Sequence, residues 1–279
     1  MVLPLVLLAA VCHAAWNALL KESENPLLLS ARAVAWGAVL SAPLVALAWL
    51  LQGRPALPAT AWGLAALSAA LELVYFIFLS TAYQRGELSV VYPLARGTAP
   101  LLAVLVGVLL LGEHLQAVAT GGVVLVLAGI WLIRRPAAAT PGVLAPALAT
   151  GVMIAAYTSL DRVGVRLAAP WLYGWVLWVM AAILLGGATR LPALRGRGPG
   201  GTPPLPTAMA VGALMTGAYF LVLVALSVAP LAVIAPVRES AIVLVTAWGI
   251  WRLRERRGAR LRVAGALAIV LGIGLLAFA

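Results

Sequence analysis

Five ionisable side chains stand inside apolar runs of this sequence, where water would be scarce and charge could do specific work. Arg96 lies in VVYPLARGTAPLLAVLVGVLLLGE, Val90 to Glu113, and Arg238 with Glu239 lies in APVRESAIVLVTAWGIWRLRE, Ala235 to Glu255. Glu72 sits in AALELVYFIF and His13 in HAAWNALLK. A guanidinium can hold a carboxylate or phosphate through two parallel hydrogen bonds. A carboxylate at membrane depth is costly unless it faces protein or a water-filled cavity, so Glu72 is a candidate for binding a proton or a cationic group. The alternative for each is a structural ion pair: Glu72 with Arg96 or Arg238, and Arg238 with the adjacent Glu239.

Around these lie groups that could shape a cavity. His13, Trp16 and Asn17 fall on about one turn of a helix, and Tyr157, Thr158 and Asp161 match them in the second half. Histidine titrates near neutral pH and could relay protons, or it could be a hydrogen-bonded packing residue. Tyr75, Tyr92, Tyr157 and Tyr219 come from four different apolar runs and are expected to wall the cavity, since aromatic walls with a few polar groups suit an amphipathic ligand. Asp161 with Arg162 is expected as a solvated interfacial pair. Trp171, Tyr173, Trp175 and Trp178 are expected in an interfacial belt.

No nucleophile and base pair stands out, so no catalytic residue and no enzyme activity is expected. Glu113-His114 is not part of an H-E-x-x-H motif, nothing else has metal-ligand spacing, and no phosphate-cradling G-x-x-x-x-G-K-[ST] is present. No metal, cofactor or ATP hydrolysis is implied. Cys12, the only cysteine, reads as a small buried apolar residue.

The elements that must position these groups are membrane helices. Hydrophobic residues make up 64% of the chain, charged residues 10%, and mean hydropathy is +1.09. The apolar runs are long and continuous, unlike the short alternating segments of a membrane β-barrel. The expectation is an all-α polytopic membrane protein with ten spans: Val2 to Leu20, Leu27 to Leu51, Ala59 to Tyr83, Leu88 to Leu111, Ala117 to Ile133, Val143 to Leu160, Ala169 to Ala188, Thr207 to Val228, Leu231 to Trp251 and Val263 to Ala279. The first run lacks a basic start and ends in Trp16, Asn17 and Lys21, so it reads as a span and not a cleaved signal. The net charge of +11 reflects arginines between spans, placed to meet headgroups, and no nucleic-acid partner is expected.

An internal repeat organises the spans. Laying Arg238 on Arg96 also lays Gly249 on Gly107 and Glu255 on Glu113, while Pro93 and Pro236 are displaced by one position. Pro93, Gly97 and Pro236 are expected to break the helices that carry the arginines, because proline removes a backbone donor and bends a helix. Five spans per half, an odd number, predict two inverted repeats over residues 1–135 and 136–279. Interrupted segments at matching places in inverted halves point to a transporter's binding site near the midplane.

Several stretches in order, HAAWNALLK, YPLARGTAPLL, LLLGE, YTSLDRVGVR and PVRES, resemble the EamA family of the drug/metabolite transporter superfamily. The resemblance covers essentially the whole chain. It implies a ten-helix fold of two inverted five-helix repeats and carriage of small metabolites, often amino acid or drug export. The second half departs from the family ending, with Leu-Arg before Glu255 where Leu-Gly precedes Glu113.

The expected function is therefore gradient-driven export of a small organic metabolite by alternating access, with an amino acid or related amphoteric or anionic solute as cargo and a proton as candidate coupling ion. Efflux of hydrophobic cations, in which Glu72 binds and the arginines are structural, is one alternative; a component of a lipid-linked substrate flippase is another. A bacterial inner membrane is the expected location, with the chain acting as monomer or homodimer. The loops joining odd to even spans, with Arg32, hold fourteen basic residues against Arg54, Arg162 and Arg166 on the other side, which by the positive-inside rule puts both termini outside. The family resemblance implies both inside.

Overall fold

The computed structural model describes residues 2–85, 88–133, 141–192, 194, 201–241, 243 and 259–278. Among them are ten helices and no strand: α1 Val2–Glu22, α2 Pro26–Leu51, α3 Ala59–Arg85, α4 Leu88–Leu109, α5 Ala117–Ile133, α6 Pro141–Leu167, α7 Pro170–Ala188, α8 Leu205–Val228, α9 Leu231–Arg238 and α10 Ala259–Ala277. A described helix overlaps each of the ten expected places, the ninth only over Leu231–Arg238. Six of them, α1, α2, α3, α6, α7 and α8, are long and apolar enough to cross a membrane. Gly249 and Glu255 lie outside the described residues, as do the side chains of Tyr92 and Pro93.

Local chemistry starts several helices cleanly. The Asn25 side chain accepts the Leu28 amide at 3.1 Å and Pro26 takes the first helical position of α2, where its missing donor costs nothing. Hydroxyls within the spans are absorbed by their own helices. Ser30 donates to the carbonyl four residues back at 2.8 Å, Ser41 and Thr150 do so at 2.7 Å, and Thr158 and Ser159 at 2.6 Å. Large apolar side chains such as Leu44, Leu51, Trp131 and Ile183 face outward while Glu72, Arg96, Asp161 and Arg238 are buried, the distribution a lipid solvent selects.

Two expectations are corrected here. Helix α4 runs continuously from Leu88 to Leu109, so Pro93 and Gly97 do not break it; a membrane helix tolerates proline where neighbouring groups satisfy the freed carbonyl. Helix α6 continues two turns past the expected end at Leu160, because Asp161 and Arg162 are buried and partnered instead of solvated. In the second half, α9 ends at Arg238, two residues after Pro236, and the chain turns at Glu239 and Ser240 through amides that reach back three residues.

The most extensive helix contacts come in matched sets. α3 packs on α6 as α1 packs on α8; α2 lies on α8 as α3 lies on α7; α4 meets α6 as α1 meets α9. Shifting both helix numbers by five turns each pair into its counterpart, and α2–α7, α4–α9 and α5–α10 map onto themselves. The last of these is held by glycine. A Cβ on Gly129 would stand 2.5 Å from the Gly265 carbonyl oxygen, one on Gly265 2.6 Å from that of Gly129, and Gly122 and Gly272 oppose each other in the same way. Only bare backbone permits this approach.

Candidate functional site

Helices α1, α3, α4, α6, α8 and α9 bring the chemistry-bearing residues into one buried interior. Arg96 of α4 meets Glu239, at the turn after α9, with Nη1 to Oε1 at 3.1 Å. The Arg238 Nε stands 3.6 Å from the same carboxylate oxygen, so Glu239 lies between the two guanidiniums. Arg238 also makes a long contact, 3.5 Å, with the Thr158 hydroxyl of α6. The Arg96 guanidinium sits 5.9 Å from the Trp16 ring centroid, and the Trp16 ring meets His13 edge to face at 5.7 Å. A cation that close to a ring feels the negative charge of its face. Gly97, next to Arg96, is a helical residue of α4.

The other predicted residues divide. Tyr75 and Tyr157 meet edge to face at 5.7 Å across α3 and α6. Asn17 faces α3, donating to the His13 carbonyl at 2.7 Å and accepting from the Tyr83 hydroxyl at 2.9 Å. Glu72 is 2% exposed and forms no ion pair with Arg96 or Arg238 among the described residues. Five buried side-chain atoms find no hydrogen-bond partner among the described residues: His13 Nδ1, Trp16 Nε1, Glu72 Oε2, Ser80 Oγ and Arg238 Nε. Natural interiors carry few such atoms, since a buried polar group without a protein partner calls for a water, an ion or another molecule.

Asp161, expected in a solvated pair with Arg162, is buried instead. Its carboxylate, 1% exposed, accepts from Ser68 of α3 at 2.7 Å, from Tyr173 of α7 at 3.1 Å and from Tyr219 of α8 at 2.6 Å. The Tyr219 hydroxyl is thus engaged by Asp161. Ser68 is one helical turn from Glu72, so Glu72 lies on the face of α3 that reaches Asp161. The expected aromatic belt on α7 is corrected as well. Tyr173 is fully buried; Trp178 stacks on Tyr219 with centroids 4.6 Å apart and donates to Thr216 at 2.7 Å; Trp175 donates to the Ala38 carbonyl at 3.0 Å. These aromatics carry polar tips, and burial beside acceptors serves them as well as an interface would.

Comparison with known proteins bears on what this interior belongs to. Residues 1–135 match the EamA-like transporter family. That match takes in the first 135 of the 279 residues, so the similarity to this family is one of the first half of the chain. No curated protein matches the chain. A crystal structure described only as that of a protein superposes with a TM-score of 0.71 at 20% identity, covering 99% of this chain and 94% of the other, a likeness of fold. Six helices long and apolar enough to cross a membrane, and a first half similar to a family of transporters, mark the chain as a membrane protein.

The LLLGE segment, inside the matched half, has a definite structure. Gly112 adopts a φ of 63°, and the chain folds back so that the Glu113 amide donates to the Gly107 carbonyl at 2.9 Å. That left-handed conformation favours glycine, which has no Cβ to clash. The Glu113 carboxylate then accepts the Leu231 and Ala232 amides at 2.8 and 2.9 Å. Those are the first amides of α9, whose preceding residue is Pro230, with no capping side chain of its own. Arg162 donates through Nε to Glu113 at 3.0 Å and through Nη1 to the Leu226 carbonyl at the end of α8. Two apolar grooves, about 460 and 490 Å³, open between α2, α7 and α8 and between α1, α7 and α8; none of the predicted site residues lines them.

Proposed function

We propose that the protein is a secondary carrier, built as two inverted five-helix repeats over residues 1–135 and 136–279, that exports a small amphoteric or anionic organic solute by alternating access. The observation that carries the reading is a pair of oppositely charged groups in one interior, Glu72 Oε2 and Arg238 Nε, both buried and both without a hydrogen-bond partner among the described residues. Leaving such groups without hydrogen bonds costs stability, and a carrier recovers the loss when cargo arrives. In this reading the cargo's carboxylate takes the place that Glu239 now holds between Arg96 and Arg238, its ammonium or a coupling proton goes to Glu72, and Trp16, Tyr75 and Tyr157 close around it. The matched helix contacts support the inverted repeat. An amino acid is the cargo that fits both ends. The inner membrane of a bacterium and a monomeric or dimeric carrier complete the reading.

A second reading is favoured by a separate observation. Asp161 and Glu72 are two buried acids on one side of α3, while Arg96 is paired with Glu239, an arrangement that would suit a hydrophobic cation with structural arginines. A thermal-shift screen of purified protein against amino acids, organic acids, nucleosides and lipophilic cations separates the two, since a ligand that binds the folded state raises the melting temperature by mass action. Stabilisation by carboxylate compounds that is lost in Arg96→Ala supports the first. Stabilisation by lipophilic cations alone, abolished by Glu72→Gln and retained in Arg96→Ala, replaces it with the second.

A further inference from the structure

Glu113 belongs to none of the groups assigned to cargo, yet it is among the most heavily engaged side chains in the molecule. Its carboxylate joins three elements: the turn after α4, from which it comes; the start of α9, whose first two amides it accepts; and α6, through Arg162. Arg162 extends the tie to the last turn of α8. A charged group at a helix N-terminus and a buried guanidinium are each satisfied by the other's presence, so the tie holds as a unit. Both side chains are less than one-tenth exposed. The room for it is built in, since a Cβ on Gly107 would come within 2.6 Å of Glu113 Oε2 and 3.2 Å of the Ala232 amide.

The tie also has a place along the path that cargo would take. It lies where α4 passes to α5 and α8 to α9, on the same side of the bundle as the start of α1 and the end of α10, and α9 leads from it to Arg238 and Glu239 in two turns. At the opposite end of the bundle Lys21, which the repeat aligns with Arg162, donates to the Tyr83 carbonyl at the end of α3 at 2.7 Å, as Arg162 does to Leu226 at the end of α8. We propose that the Glu113 carboxylate is the latch of the gate on the side of the bundle that carries the chain termini: clasping the start of α9 and Arg162 keeps that side shut, and releasing them opens it. This rests on reading the chain as an alternating-access carrier but on no particular cargo. A bistable closure of this sort needs a tie whose partners can be satisfied by water when it opens, and charged groups near a membrane face meet that need.

The test requires no substrate. In full-length protein carrying Cys12→Ser, single reporters are placed at Ala235→Cys, one turn inside the latch, and at Ala95→Cys, beside Arg96 toward the opposite face; both positions are buried. Sealed vesicles of uniform orientation are treated with a membrane-impermeant maleimide from each side in turn. Glu113→Gln and, separately, Arg162→Gln should raise the labelling rate of Ala235→Cys from the terminal side about tenfold or more, the shift expected when a charge-assisted tie is lost from one of two states. Labelling of Ala95→Cys from the opposite side should fall in the same variants. Unchanged labelling at both reporters overturns the proposal, and so does a rise at both, which is the signature of loosened folding. If carboxylate cargo fails to stabilise the protein while the opposed labelling changes are seen, the latch stands and the cargo assignment falls.

Discussion

Arg96 and Glu239, 143 positions apart in sequence, meet at 3.1 Å in the interior and join α4 to the end of α9. Removing one partner of a buried pair strands the other charge, which costs about 3–5 kcal/mol, whereas replacing both with apolar residues of similar volume is near neutral. Arg96→Met and Glu239→Leu should therefore each lower the melting temperature of the purified protein sharply, and the double variant should regain only part of the loss, because Arg238 still lacks the carboxylate 3.6 Å from its Nε. A double variant as unstable as the sum of the two would show that the residues act on stability independently.

Glu72 should behave in the opposite way. Its Oε2 is buried without a partner among the described residues, so Glu72→Leu removes an unsatisfied polar atom and should stabilise the protein by about 1–3 kcal/mol in denaturant melts. The same variant should lose ligand-induced stabilisation. A residue that is costly to the fold and needed for binding is the expected mark of a site held ready for cargo.

Asp161 is predicted to be structural in the empty protein. Tyr219→Phe removes the shortest of its three hydrogen bonds, worth about 1.5–3 kcal/mol because the acceptor is a carboxylate. Tyr173→Phe, whose bond is 3.1 Å, should cost less. Melting temperatures of the two variants that reverse this order would mean that Tyr219's stacking on Trp178 sets its position.

The glycine contact between α5 and α10 makes a controlled pair of substitutions possible. Gly129→Ala places a methyl against the Gly265 carbonyl and should cost about 1–3 kcal/mol through overpacking. Gly121→Ala, on the same helix with nothing within 4 Å of the added methyl, should be neutral or stabilising by up to about 1 kcal/mol, since alanine is the better helix former. Equal effects in thermal melts would refute the close approach.

The helices were legible in the sequence because each apolar run states its own length, and the buried charges announced themselves by standing inside those runs. The partnerships were not. Asp161 looked like the end of a span because Arg162 and Arg166 follow it, and only the fold reveals that Ser68, Tyr173 and Tyr219 surround it from three other helices. Tyr173 and Trp178 had the composition of an interfacial belt, and composition does not say which way a helix is turned. Pro93 and Gly97 carried the local signal of a break, yet α4 continues through them, since whether a bundle absorbs a proline depends on neighbours that the local sequence does not name.

The interlock of Gly122 and Gly129 with Gly272 and Gly265 has a consequence for how the protein is made. During synthesis α5 enters the bilayer long before α10 exists, and until then its glycine face meets only lipid tails, which cannot fill the groove as a second backbone does. The seam on α5 therefore closes only when α10, translated far behind it, arrives. A chain interrupted before Ala259 would carry an unsealed helix seam, a ready cue for membrane quality control to tell unfinished molecules from finished ones.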